Sequence, residues 1–169
     1  MWSKTLRRDR LIALVGIFLA TALVAEGVTV GAQTSSGKSL PPVFTGLVKG
    51  VAVGGYDPVA YFVEGKPVAG RSDLTLEHAG ATWRFANPQN RDLFKADPAK
   101  YAPQFGGYCA WAVAEGYTAK GDPTAWTIAG GKLYLNYNKS VQKTWEQNVP
   151  ANVSRGEANW PKLTGKAGG

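Results

Sequence analysis

The chain is short of the residues that cross-link proteins and hold metals. Its 169 residues include one cysteine, one histidine and one methionine. A single thiol, Cys109, excludes an internal disulfide. No Cys-x-x-Cys pair, haem-attachment Cys-x-x-Cys-His, His-Glu-x-x-His helix, phosphate-binding glycine loop or Gly-x-Ser-x-Gly elbow is present. A methionine-rich copper site is excluded too, because Met1 is the only methionine. Lysine and arginine outnumber aspartate and glutamate by 19 to 12, yet they are scattered. A nucleic-acid site needs a clustered basic footprint, so no nucleic-acid partner is expected. The excess charge serves solubility, with a preference for anionic surfaces.

Long apolar runs are absent except near the start. Lys4, Arg7, Arg8 and Arg10 precede an apolar stretch over 11–25 that only Gly16 and Thr21 interrupt, and Val30-Gly31-Ala32 places small residues just before Gln33. That is the three-part arrangement of a secretory signal. A bilayer span needs about 20 apolar residues, more than this run supplies. Residues 1–32 are therefore expected to be a signal peptide, the alternative being an uncleaved anchor. After cleavage no stable membrane span remains, and the folded part is periplasmic or secreted. Arg7-Arg8 suggests a twin-arginine signal, but Asp9-Arg10 does not continue that pattern.

What the chain does have is aromatic bulk. Residues 33–169 hold five Trp, seven Tyr and five Phe, and each such side chain buries roughly 150–250 Å². An exported domain without disulfides depends on that core. The Ser/Gly/Pro-rich residues 33–42 read as a linker, 43–161 as one domain, and 162–169 as a disordered tail. No internal repeat is apparent.

Local signals place the elements. Asp57-Pro58 reads as a cap and first turn of a short helix. Leu74 to His78 and Ala81 to Phe85 flank Ala79-Gly80 as a hairpin, with Trp83 and Phe85 on its core face. Asn87-Pro88 and Asp97-Pro98 each start a helix. Tyr108 to Glu115 reads as a short buried helix and Asp122-Pro123 as a turn. A second hairpin runs from Ala125 to Ile128 and from Lys132 to Tyr137, around Ala129-Gly130-Gly131. Asn138 caps a helix through Gln147, and a last helix covers 151–159. Short hairpins mixed with several short helices make the fold α+β.

Three of these stretches together resemble the YHS domain family. They are Asp57-Pro58-Val59, then Glu77 through Phe85 with Trp83-Arg84-Phe85, and then Phe94 through Tyr101 with Asp97-Pro98. The segment from Gly106-Gly107-Tyr108-Cys109 to Trp160-Pro161 is similar to an exported branch of that family with a Gly-Gly-Tyr-Cys-Ala-Trp motif, some of whose members are selenoproteins. Many YHS domains are read as soft-metal binders through their cysteines. Here Ala60, Ala86 and Asn90 stand at those three positions. The resemblance therefore implies the fold and not that site.

Chemistry then rests on few residues. Cys109 is either a small buried apolar residue or the focus of a site. As a metal ligand it would be joined by His78, and copper(I) accepts such a two-coordinate soft set, whereas zinc would want four ligands. As a redox group it would cycle through sulfenic acid or a mixed disulfide, with its thiolate favoured by the start of the following helix. His78 is otherwise an exposed residue at a strand end. Tyr108, Trp111 and Tyr117 flank the thiol as core or as an aromatic-lined ligand pocket. The readings left open are an exported soft-metal binder with copper as its cofactor, a single-thiol redox protein, and an interaction domain with no active site. Enzyme activity is not implied.

Overall fold

The structure is a computed structural model that describes residues 40–165. The signal expected over 1–32, most of the linker and residues 166–169 lie outside the described residues. A 3-10 turn at Ala52–Gly55 opens a series of α1 (Ala60–Val63), β1 (Arg71–His78), β2 (Ala81–Phe85), α2 (Pro88–Ala96) and α3 (Pro98–Tyr101). A second 3-10 turn at Gln104–Gly107 then opens α4 (Ala110–Ala114), β3 (Asp122–Ala129), β4 (Lys132–Asn136), α5 (Lys139–Glu146) and α6 (Val149–Leu163). This is the α+β arrangement of two antiparallel two-stranded hairpins among short helices.

The second series repeats the first, which corrects the expectation of no internal repeat. Val53, Gly54 and Gly55 have φ of 51°, 59° and 87°, and Phe105, Gly106 and Gly107 have φ of 54°, 61° and 79°. Each hairpin turns through two left-handed residues, Ala79-Gly80 (51°, 75°) and Gly130-Gly131 (57°, 74°), as a tight I′ connection requires. The strand register slips between Arg71 and Thr75 in one hairpin and between Asp122 and Trp126 in the other. Asn87 caps α2 by accepting from the Asn90 N–H at 2.8 Å, and Asn138 caps α5 by accepting from Val141 N–H at 2.9 Å. Asp97 and Asn148 cap α3 and α6 in the same way. Residues 52–101 and 104–152 are thus two copies of one backbone plan. Their side chains have diverged, so that Trp83 answers to Tyr134 and Phe94 to Trp145.

Three local expectations change. α1 starts after Val59, with no side-chain cap, because Asp57 is engaged elsewhere. Asp122 and Pro123 begin β3 instead of forming a separate turn. α6 extends beyond the helix expected over 151–159 at both ends, passes through Pro161 and is followed by the buried Thr164.

The alternation on β2 is as expected from its sequence, with Ala81, Trp83 and Phe85 buried and Thr82 and Arg84 half-buried. Trp83 and Phe85 pack with Val59, Tyr61 and Phe94 in a first core, which also takes in Leu133 and Leu135 from β4. Tyr134, between those two leucines, points into a second core with Phe105, Tyr108, Val113 and Trp145. β4 therefore serves both cores through the period-two pleat. The Tyr61 hydroxyl donates to the Pro123 carbonyl at 2.8 Å, and its ring meets Trp126 edge-on at 5.2 Å. Among the described residues, no helix is long and apolar enough to cross a membrane.

Candidate functional site

Cys109 leaves the left-handed turn of the second repeat and stands just before α4. Its backbone is pinned on both sides: its N–H donates to the Ala119 carbonyl at 3.0 Å, and its own carbonyl accepts from Val113 N–H at 3.0 Å. It also bridges to Leu135 of β4. The thiol is 1% exposed. The Asn136 side chain, wholly buried at the end of β4, places Oδ1 3.9 Å from Cys109 Sγ. The same oxygen accepts from Trp111 N–H at 3.2 Å. Asn136 Nδ2 has no hydrogen-bond partner among the described residues. Burial pushes the Cys109 thiol above its ordinary pKa, while the backbone N–H groups of Ala112, Tyr137 and Trp111 pull the other way. The lowered thiolate pKa expected from the following helix does not result, because α4 has only five residues and desolvation outweighs the local donors.

Above the thiol lies a pocket of about 260 Å³, lined by Cys109, Trp111, Ala112, Tyr117, Ala119, Tyr137 and Val141. Trp111 and Tyr117 are thus two of its walls. Tyr108 is not: it packs into the second core against Phe44 and Trp160, with ring centroids 5.2 and 5.7 Å away. Neighbouring residues in extended backbone point to opposite sides, so Tyr108 and Cys109 cannot both face the pocket. Sequence reasoning missed Tyr137 and Val141, which are brought in by β4 and α5. It missed Asn136 as well, although a polar residue ending the run Leu133-Tyr134-Leu135 was a visible signal. Lys120 lies over the Tyr137 ring at 5.1 Å.

His78 stands elsewhere. It is exposed at the end of β1, its ring lies 5.7 Å from Phe94 and 6.4 Å from Trp83, and its carbonyl accepts from the Trp83 indole at 2.9 Å. It does not line the pocket. Among the described residues, no group of three or more His, Cys, Asp and Glu could hold a metal ion.

The repeat explains the setting of Cys109, because its counterpart in the first copy is Asp57. That carboxylate is fully buried. Its Oδ1 accepts from Val59 N–H at 2.8 Å, and its Oδ2 from Ala86 N–H at 2.8 Å and Asn90 Nδ2 at 2.7 Å. The second copy puts Trp111, Tyr137 and Val141 at the positions of Val59, Ala86 and Asn90. A carboxylate tie has become a thiol, its carboxamide partner has become a valine, and a pocket opens at that place. In the first copy, Asn90 and Ala86 take part in the Asp57 tie and Ala60 is buried in α1.

Comparison with known families gives one match, in which the sequence model of the YHS domain covers residues 59–105. Most of the second repeat lies beyond that match. No curated protein and no solved structure matches the chain.

Proposed function

We propose that this chain, a member of the YHS domain family through residues 59–105, is a binding protein whose site is the pocket over Cys109. The observation that carries this reading is the pocket itself, a recess of about 260 Å³ with Trp111, Tyr117 and Tyr137 as walls and the thiol among its lining residues. Ligand sites are typically apolar recesses with few polar groups, about 300–1,000 Å³ in volume. This one lies just below that range and suits a molecule of one or two rings. Calorimetric titration with indole tests it. Wild type is expected to bind, and Val141→Trp, which fills the recess, is expected not to. Equal heats for the two proteins, or none for wild type, remove the reading.

The family match suggests a metal-binding type of domain. The donors here do not fit a metal centre: one buried thiol stands beside one carboxamide, and His78 packs on Phe94 and Trp83. Copper(I) titration of wild type against Cys109→Ser separates the two ideas, since a metal site at the sulfur requires a loss of affinity in the variant. The proposed place of action is outside the cytoplasm, on the strength of the signal pattern in residues 1–32. Cell fractionation with N-terminal sequencing is expected to find a mature chain starting at Gln33.

A further inference from the structure

Four observations meet at Cys109. In the first repeat, the matching position holds a carboxylate whose two oxygens take the N–H groups of Val59 and Ala86 and the Asn90 amide. In the second repeat, the equivalent N–H of Trp111 donates to Asn136 Oδ1 at 3.2 Å, and the N–H groups of Ala112, Tyr137 and Trp111 only draw the Cys109 thiol's pKa down against its burial, a thiol sulfur being a weak acceptor. Beside it lies the wholly buried Asn136, with Oδ1 3.9 Å from Sγ and Nδ2 unpartnered among the described residues. Cys109 also lines a pocket far larger than a peroxide molecule. The donors are those of an oxyanion site, and a neutral thiol uses them poorly.

We propose that Cys109 is a site of oxidation by peroxide to the sulfinate, which takes the place that the Asp57 carboxylate holds in the first repeat. The thiol gives up its proton and the sulfur attacks one peroxide oxygen. An S–O bond forms as the O–O bond breaks, and the departing hydroxide takes that proton and leaves as water. Sulfur is oxidised by two electrons and the peroxide reduced by two. The chain has no second cysteine to trap the sulfenate as an internal disulfide. A second peroxide transfers its oxygen in the same way and releases a second water. The Asn136 carboxamide, whose Oδ1 faces the sulfur and takes the Trp111 N–H in the reduced chain, turns over so that Nδ2 faces the sulfinate as the Asn90 amide faces Asp57. The two sulfinate oxygens then accept from Nδ2, from the released Trp111 N–H and from Ala112 and Tyr137. This inference stands apart from ligand binding by the pocket.

The test is hydrogen peroxide treatment of the purified chain at alkaline pH, where the thiolate forms, followed by mass spectrometry and, after return to neutral pH, thermal melting. The expected product carries two added oxygen atoms on Cys109, persists without a third, and melts higher than the reduced protein by about 2–4 °C. Asn136→Leu is expected to reduce that rise. Cys109→Asp, which builds the carboxylate directly, is expected to melt no lower than Cys109→Ser at neutral pH. A thiol that stays unmodified while free cysteine is oxidised, a product that runs on to three oxygens, or an oxidised protein that melts lower overturns the proposal. So does a Cys109→Asp chain that melts below Cys109→Ser or fails to fold.

Discussion

The Asp57 carboxylate is buried with no ion pair among the described residues, and three N–H groups meet its two oxygens. Removing it leaves two backbone donors and the Asn90 amide unpaired, and each unsatisfied buried group costs about 1–3 kcal/mol. Asp57→Ala is therefore expected to lose roughly 3 kcal/mol or more in urea unfolding, and Asp57→Asn less, because it keeps one acceptor. Cys109 makes a different prediction from the same backbone setting. Its thiol is held above the ordinary pKa by burial, and only the thiolate reacts. Alkylation by iodoacetamide is expected to be slow near neutrality and to climb only well into the alkaline range. A fast reaction at neutral pH would mean that the local donors outweigh desolvation. The importance of Cys109 was legible in the sequence because it is the sole thiol. Its surroundings were not, since Tyr137 and Val141 reach it by folding across about 30 residues, and nothing local to Asp57 announces Asn90 as its partner.

Hairpins, caps and turns carry their own instructions. Asn87, Asp97 and Asn138 cap the helices that their sequence context announced, because a cap bonds to a backbone N–H three residues on. The repeat was hidden for the complementary reason. What it preserves is backbone geometry: a left-handed turn after Val53 or Phe105, a register slip, a two-residue hairpin connection. Many side chains satisfy these, and little beyond Gly-Gly-Tyr at 54–56 and 106–108, the second hairpin glycine (Gly80, Gly131) and the capping asparagine (Asn87, Asn138) is shared. The two hairpin turns also supply a natural comparison. Ala79 occupies the φ of 51° that Gly130 occupies at 57°, and a non-glycine residue there is strained by roughly 1 kcal/mol. Ala79 is exposed, so Ala79→Gly is expected to recover much of that strain as added stability in thermal melts. A neutral or lowered melting temperature would show that chain entropy lost to the glycine dominates.

Taken whole, the molecule is two copies that cannot be separated. Leu133 and Leu135 complete the first core, and Tyr61 is bonded to Pro123. A fragment of residues 40–103 is expected to lack a cooperative melt by circular dichroism, while the full chain shows one transition; a folded fragment would contradict the shared core. Alkaline stability is likewise a property of the ensemble. Burial is the leading cause that raises Tyr61, Tyr108, Tyr134 and Cys109 above their ordinary values. Once the pH passes the unfolded thiol and phenol values, ~8.5 and ~10, the unfolded chain sheds protons that the folded one keeps, so stability falls as pH rises. Urea midpoints measured from neutral to strongly alkaline pH are expected to decline steadily. Flat midpoints would mean that these groups ionise in place.

The backbone at residues 41–44 lies against the second copy: Phe44 N–H donates to the Gly106 carbonyl at 2.8 Å, and the Tyr108 hydroxyl donates to the Pro41 carbonyl at 3.2 Å. A Cβ at Gly106 would run into the Pro42 carbonyl, so the seam tolerates nothing larger than hydrogen. A ribosome makes residues 41–44 early and their seat more than sixty residues later. The contacts of residues 41–44 therefore stay open during synthesis until the turn at Gly106 has been made.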